Sequence, residues 1–220
     1  GASVSVTVDG QTDVHTATNN GDGTWSLADD ELTALADGVY DVSVTATDAA
    51  GNAGSDTSAD ELTVDLTDPV VTVDALTTND STPILSGTVV DDDAGATISV
   101  TVDGQIIGAT NNGDGTWSIA DDTLAALADD VYDVSVTATD AYGNVGNDAS
   151  TNELTVDLTA PVVTVDSLIT GDSTPALGGT VDDAAASVSV SVDSQVIAAT
   201  NNGDGTWSIA DGVLAALADN

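Results

Sequence analysis

From Val131 to Asp140 the chain reads VYDVSVTATD, and apolar and polar side chains alternate along it without a break. Tyr132, Val134, Val136 and Ala138 fall on one face, and Asp133, Ser135, Thr137 and Thr139 on the other. A period of two is the mark of a half-buried strand, because successive side chains of an extended chain point to opposite faces. The same alternation puts Ile98, Val100 and Val102 on an inner face against Thr97, Ser99, Thr101 and Asp103. Short Val- and Thr-rich runs of this kind predict strands at 70–76, 83–90, 96–104, 105–110, 116–120, 131–140 and 153–159. Only Asp122–Asp130, DTLAALADD, has a spacing that predicts a helical turn. Pro69 and Pro83 sit where strands begin, the place a ladder tolerates them best.

Seven short strands in about 90 residues, with turn signals between them, predict an all-β antiparallel sandwich of immunoglobulin type. The pattern recurs. TNNGDGTWS begins at Thr18, Thr110 and Thr200, ELTVDLT at Glu61 and Glu153, and DSTP at Asp80 and Asp172. A spacing near 90 residues is too long for a solenoid unit and suits a small domain with its own core. The chain is therefore expected to be a tandem array: a partial repeat over 1–66 lacking its first two strands, a complete one over 67–159, and a partial one over 160–220 lacking its last two. Within each repeat, NNGDG supplies the positive φ angles of a tight hairpin. The tryptophan after it has inward parity, so Trp25, Trp117 and Trp207 are expected to anchor their cores; a sugar-stacking platform is the competing reading.

Composition narrows the function. There are 38 acidic residues, no lysine and no arginine, for a formal net charge of −38. Nucleic acid and anionic membrane surfaces are excluded as partners, since both are held by basic side chains. Acidity with few aromatics can mean disorder, but 41% of the residues are hydrophobic and they alternate regularly, so the chain should fold. No cysteine is available for disulfides, and no run is long and apolar enough to insert in a membrane. The single histidine, His15, lies in TDVHTA, which the other copies replace with IIGA or VIAA. A catalytic group missing from the complete copy is a poor candidate. Without Cys, Lys or Arg, nucleophile–base, Schiff-base and phosphoryl-transfer schemes lack parts, so no enzyme is expected.

The run TDPVVTVDALTTNDSTPILSGTV, followed by ISVTVDGQ, GDGTWS, LADDVYDVSVTATDAYGN and ELTVDLTAP, resembles the bacterial Ig-like repeats of giant secreted adhesins and biofilm-associated surface proteins. The resemblance covers the whole chain. It implies an extracellular location on a bacterial cell surface or in a secreted matrix, long rod-like arrays, and calcium near the domain junctions. Tyr132 resembles the tyrosine corner of such sandwiches. The total lack of basic residues departs from the family and makes dependence on cations stronger.

Calcium takes six to eight hard oxygens, which carboxylates, amides and carbonyls supply. In an Ig sandwich the loop after the second strand and the loop between the last two strands lie where the chain enters. In the complete repeat those loops carry Asp91, Asp92 and Asp93, and then Asp140 with Asn144, while the incoming linker VDLTDP adds Asp65 and Asp68. At the next junction Asp157 is expected to meet Asp182 and Asp183, with Ala160 in place of Asp68 and weaker binding. These ten residues are the candidate calcium ligands; turn-forming, solvated acids are the alternative reading. NNGDGTWSIADD lacks the first acid and the terminal glutamate of an EF-hand loop, and a hairpin explains it better.

The expected function is a structural spacer: a rod of sandwiches in a bacterial adhesin or biofilm protein, stiffened by calcium at the junctions, with neighbouring repeats of the same chain as partners. The alternative is a self-assembling extracellular filament in which identical chains complement one another's strands.

Overall fold

A computed structural model describes residues 1–56, 58–91 and 95–218. It divides into two compact units, Gly1–Asp157 and Leu158–Asn220. The first unit opens with β1 (Ser3–Val8), β2 (His15–Asn19), β3 (Trp25–Ser26), β4 (Gly38–Tyr40), β5 (Val42–Thr47), β6 (Ala53–Asp56) and β7 (Leu62–Val64). The complete repeat follows as β8 (Val70–Val71), β9 (Leu76–Thr78), β10 (Leu85–Val90), β11 (Thr97–Val102), β12 (Gln105–Asn111), β13 (Thr116–Ile119), β14 (Asp130–Tyr132), β15 (Val134–Thr139), β16 (Val145–Asp148) and β17 (Leu154–Val156). The second unit holds β18 (Leu177–Thr180), β19 (Val188–Val192), β20 (Gln195–Asn201) and β21 (Thr206–Ile209). Among the described residues no helix is long and apolar enough to cross a membrane.

The complete repeat is a β-sandwich. One sheet runs β16-β15-β11-β12-β13-β10-β8, and the other β14-β17-β9, with β9 parallel to β17. The alternation seen in the sequence decides what lies between them: Ile98, Val100, Val102, Val134, Val136 and Ala138 all face a core that also takes Leu85, Val89, Trp117, Ile119 and Leu154. Trp117 is fully buried, and its indole N–H donates to the Thr72 carbonyl at 2.8 Å. That bond meets the demand of a buried polar group that an apolar core would otherwise leave unpaired. Gly87 makes the geometry possible. It pairs with Trp117 across β10 and β13, and a Cβ there would overlap the Thr72 oxygen and sit 2.7 Å from the indole nitrogen. In the second unit Gly179, Thr164 and Trp207 repeat the arrangement.

The hairpin between β12 and β13 turns at Gly113 and Gly115, with φ of 76° and 90°. Asn112 N–H closes it on the Thr116 carbonyl at 3.0 Å. The tyrosine corner is present: the Tyr132 hydroxyl accepts from Ala128 N–H at 3.0 Å and donates to the Ala128 carbonyl at 3.1 Å.

Three local expectations are corrected. The strand expected over 70–76 is split, with β8 in the larger sheet and β9 in the smaller. Asp122–Asp130 forms no helical turn. Leu124 and Leu127 are both buried in the core, and the backbone donates away from the segment, Leu127 N–H to the Ser81 carbonyl at 2.8 Å and Ala125 N–H to Gln105 Oε1 at 2.7 Å. The strand expected over 131–140 is broken at Asp133: β14 joins the smaller sheet and β15 the larger.

The residues before Asp65 form two sheets of their own, β3-β2-β1-β5-β6 and β4-β7. Here Trp25 is 41% exposed, although it sits in the same nonapeptide as the buried Trp117. The expectation that all three tryptophans anchor cores holds for Trp117 and Trp207 and is corrected for Trp25.

Candidate functional site

The linker between β7 and β8 and the loop between β15 and β16 come together at the entry to the complete repeat. Asn144, in the loop, donates through Nδ2 to the Asp65 carbonyl at 3.2 Å and to Asp140 Oδ2 at 2.8 Å. Val145 N–H donates to Asp68 Oδ1 at 3.1 Å. Four of the ten sequence-predicted ligands, Asp65, Asp68, Asp140 and Asn144, therefore share one hydrogen-bonded patch. Asp91 follows Val90, whose ladder partner is Val70, two residues after Asp68. It accepts from Ala96 N–H through Oδ2 at 3.0 Å. Asp92 and Asp93 lie outside the described residues.

These oxygens are not equally available. Asp140 is buried, and its Oδ1 accepts from Tyr142, Gly143 and Asn144 N–H at 2.6–2.9 Å. Burial alone would raise its pKa; the Asn144 amide and these backbone donors outweigh that and hold the carboxyl below its ordinary value. Asp48 and Asn52 build the same loop in the partial repeat, where the Asn52 amide and backbone N–H hold the Asp48 carboxyl low. Asp140 is thus a turn former first, since its donors come from its own loop. Asp65 differs. Its Oδ1 accepts from Thr67 N–H at 2.9 Å, but Oδ2 is buried with no hydrogen-bond partner. A buried anionic oxygen left unpaired is costly, and this sequence has no lysine or arginine to offer it. The donor set of carboxylate and carbonyl oxygens suits a hard cation. Asp65 and Asp68, with the Asp65 carbonyl, are the groups that would hold one. Among the described residues no three carboxylates or imidazoles are arranged to chelate a metal by themselves.

Asp157 closes the first unit, its N–H donating to the Thr78 carbonyl at 2.9 Å. Asp182 and Asp183 belong to the second unit, accepting from Val162 N–H at 2.7 Å and Ala185 N–H at 2.8 Å.

A second acidic meeting point escaped the sequence reading. Asp80, of DSTP, accepts from Thr82 N–H at 2.9 Å and faces Asp121. Desolvation, then the charges of Asp80 and Asp122, push the Asp121 carboxyl above its ordinary value. The repetition of DSTP at Asp172, with Thr174 bonded in the same way, was the signal available.

The Bacterial Ig-like domain model matches residues 1–66 and 70–158, and the Bacterial Ig-like domain (group 3) model matches 116–202. No curated protein matches the chain significantly. Among solved structures the chain is similar to part of a 1.5-MDa bacterial ice-binding adhesin, with 24% identity over 94% of this chain and 74% of that one, and a TM-score of 0.43. It is similar to a tetra-tandem repeat from the extending region of a large adhesion protein, with 30% identity over 96% and 57% and a TM-score of 0.38. It is also similar to a Ca²⁺-stabilized adhesin of an Antarctic bacterium, with 28% identity over 94% and 56% and a TM-score of 0.41. The chain thus spans a little over half the length of the last two.

Proposed function

The chain belongs to the bacterial Ig-like domain family, and from that membership we propose that it is a structural spacer in a bacterial surface adhesin, stiffened by calcium where one repeat enters the next. Its repeats run over 1–66, 67–159 and 160–220. They work outside the cell, on the surface or in a biofilm matrix, and carry no catalysis. The observation that carries the reading is the Asp65 carboxylate. One of its oxygens is buried and unpaired at the point where Asn144 and Val145 already bind the linker to the following repeat. A cation on Asp65 and Asp68 fixes the linker beside the Asn144 and Val145 bonds that already tie it to the next sandwich, which removes a hinge. Because the unfolded chain cannot assemble the site, binding also stabilises the fold by mass action. Extracellular calcium modules work at about 10⁻⁴–10⁻³ M, so such a joint sets after export.

Isothermal titration of the 220-residue chain with calcium, against magnesium, tests this. The expected result is calcium uptake in the millimolar range or tighter, weakened by Asp65→Asn. No uptake by the wild-type chain removes the calcium joint.

A further inference from the structure

Each copy of TNNGDGTWS sets an asparagine directly before a glycine: Asn20–Gly21, Asn112–Gly113 and Asn202–Gly203. Such a pair is prone to lose its side-chain amide, because a glycine without Cβ leaves its backbone nitrogen unshielded and free to turn. That nitrogen attacks the asparagine Cγ. The N–Cγ bond forms, the Cγ–Nδ2 bond breaks, and ammonia leaves with the glycine N–H proton. Water then opens the cyclic imide to aspartate or isoaspartate. Isoaspartate puts an extra carbon in the main chain, which would shift the pairing of β12 with β13, where Thr110 faces Ser118 and Asn111 faces Trp117.

In the complete repeat every reacting group is held. Gly113 N–H donates to Asn111 Oδ1 at 3.1 Å, which ties down the attacking nitrogen. Asn112 Nδ2 donates to Thr116 Oγ1 at 2.9 Å, and Asn112 Oδ1 accepts from the Ser118 hydroxyl at 3.2 Å. Both ends of the amide are thus anchored on β13 rather than left to rotate. The turn is already closed by the backbone, through Asn112 N–H on the Thr116 carbonyl, so these side-chain bonds are additional to it. The Thr116 hydroxyl gives its own proton to Asp114 Oδ1 at 2.6 Å, which leaves its lone pairs for Asn112. The same bond holds the Asp114 carboxyl below its ordinary value and keeps it ionised, a poor electrophile for the Gly115 nitrogen. Asn202 repeats the set, at 2.9 Å to Thr206 and 3.2 Å from Ser208, with Gly203 N–H on Asn201 Oδ1 at 3.1 Å. Asn20 keeps the Thr24 bond at 2.9 Å, with a longer bond of 3.4 Å from Ser26.

We propose that Asn112 is a latent modification site for imide formation, held unreacted by Asn111, Thr116 and Ser118 as positioning residues, and that Asn20 and Asn202 are its counterparts. Reaction requires the Asn112 Cγ to swing onto the Gly113 nitrogen, and the bonds to Thr116, Ser118 and Asn111 must break first. The Ser118 bond alone would polarise Cγ toward attack; with Nδ2 anchored on Thr116 the amide does not turn to use it. Thr116 is therefore the deciding partner, and its one hydroxyl guards both reactive pairs of NNGDG, Asn112–Gly113 and Asp114–Gly115. Each event would also add a negative charge to a chain whose net charge is already −38.

The test incubates the ¹⁵N-labelled 220-residue chain in mildly alkaline buffer and follows each asparagine side-chain amide resonance, which disappears as ammonia leaves. A synthetic TNNGDGTWS peptide, with no fold to hold it, sets the unprotected rate. The expected result is that Asn112 in the chain reacts many-fold more slowly than in the peptide. Thr116→Val should accelerate Asn112 several-fold and leave Asn202 unchanged, and Thr116→Ser, which restores the hydroxyl, should return the slow rate. Tyr132→Phe loosens the same repeat without touching these bonds and should leave the rate as it is. Four results would overturn the proposal: reaction in the wild-type chain at the peptide's rate, no acceleration in Thr116→Val, a Thr116→Ser chain as fast as Thr116→Val, or equal acceleration in Tyr132→Phe, which makes general loosening of the repeat the cause.

Discussion

Gly87→Ala is the sharpest test of the core. The added methyl has no room: it would overlap the Thr72 carbonyl and crowd the Trp117 indole nitrogen, so β8 and β10 must move apart. The 2.8 Å indole bond is then lost with its donor still buried. An unsatisfied buried donor costs about 1–3 kcal/mol. Overpacking a close-packed site costs about 1–3 kcal/mol more. Together the loss is about 2–6 kcal/mol, a large part of what holds a small domain folded. Gly108→Ala is the matched control, because that glycine has nothing within 4 Å of its Cβ position and no positive φ. The same chemical change there should stabilise by about 0.4–1 kcal/mol through the unfolded chain. Urea unfolding followed at the Trp117 indole resonance reads the complete repeat alone, with Trp207 as a reference in the second unit. If Gly87→Ala unfolds at the same urea concentration as Gly108→Ala, the packing argument fails.

Three further outcomes are expected. Tyr132→Phe removes both bonds to Ala128 and should cost about 0.5–1.5 kcal/mol in urea unfolding of the complete repeat. Asp140→Asn should destabilise at pH 7, by an amount that shrinks with acid: a carboxyl whose folded pKa is depressed contributes stability above its unfolded pKa of about 3.9 and loses it as pH falls through the lower folded value. Asp121→Asn should do the reverse, because its raised carboxyl is destabilising once ionised. Melting temperature should rise at pH 7 and match wild type below the carboxylate range, whereas an unchanged melting temperature at pH 7 would show that the charges of Asp80 and Asp122 do not matter there.

The sandwich was legible because alternation over Thr97–Val102 and Val134–Thr139 admits one buried face only. β16 was not: VGND reads as a turn, and it becomes a strand because β15 offers it a ladder. Leu124 and Leu127 mimic helical spacing, but tertiary partners claim the backbone donors that a helix would use. The acids could be read by type and by loop, yet not by availability. Asp140 is satisfied by its own loop, while Asp65, next to a linker, holds the unpaired oxygen. Trp25 makes the same point, since one nonapeptide gives a buried or an open indole according to what lies across from it.

A joint that calcium stiffens changes the hydrodynamic shape of a single chain without joining chains together. Sedimentation velocity of the 220-residue chain in EDTA, then across a calcium series with a magnesium control, addresses it directly. The expected result is a monomer throughout whose frictional ratio changes with calcium and not with magnesium. An unchanged frictional ratio, or growth into large species on adding calcium, contradicts it.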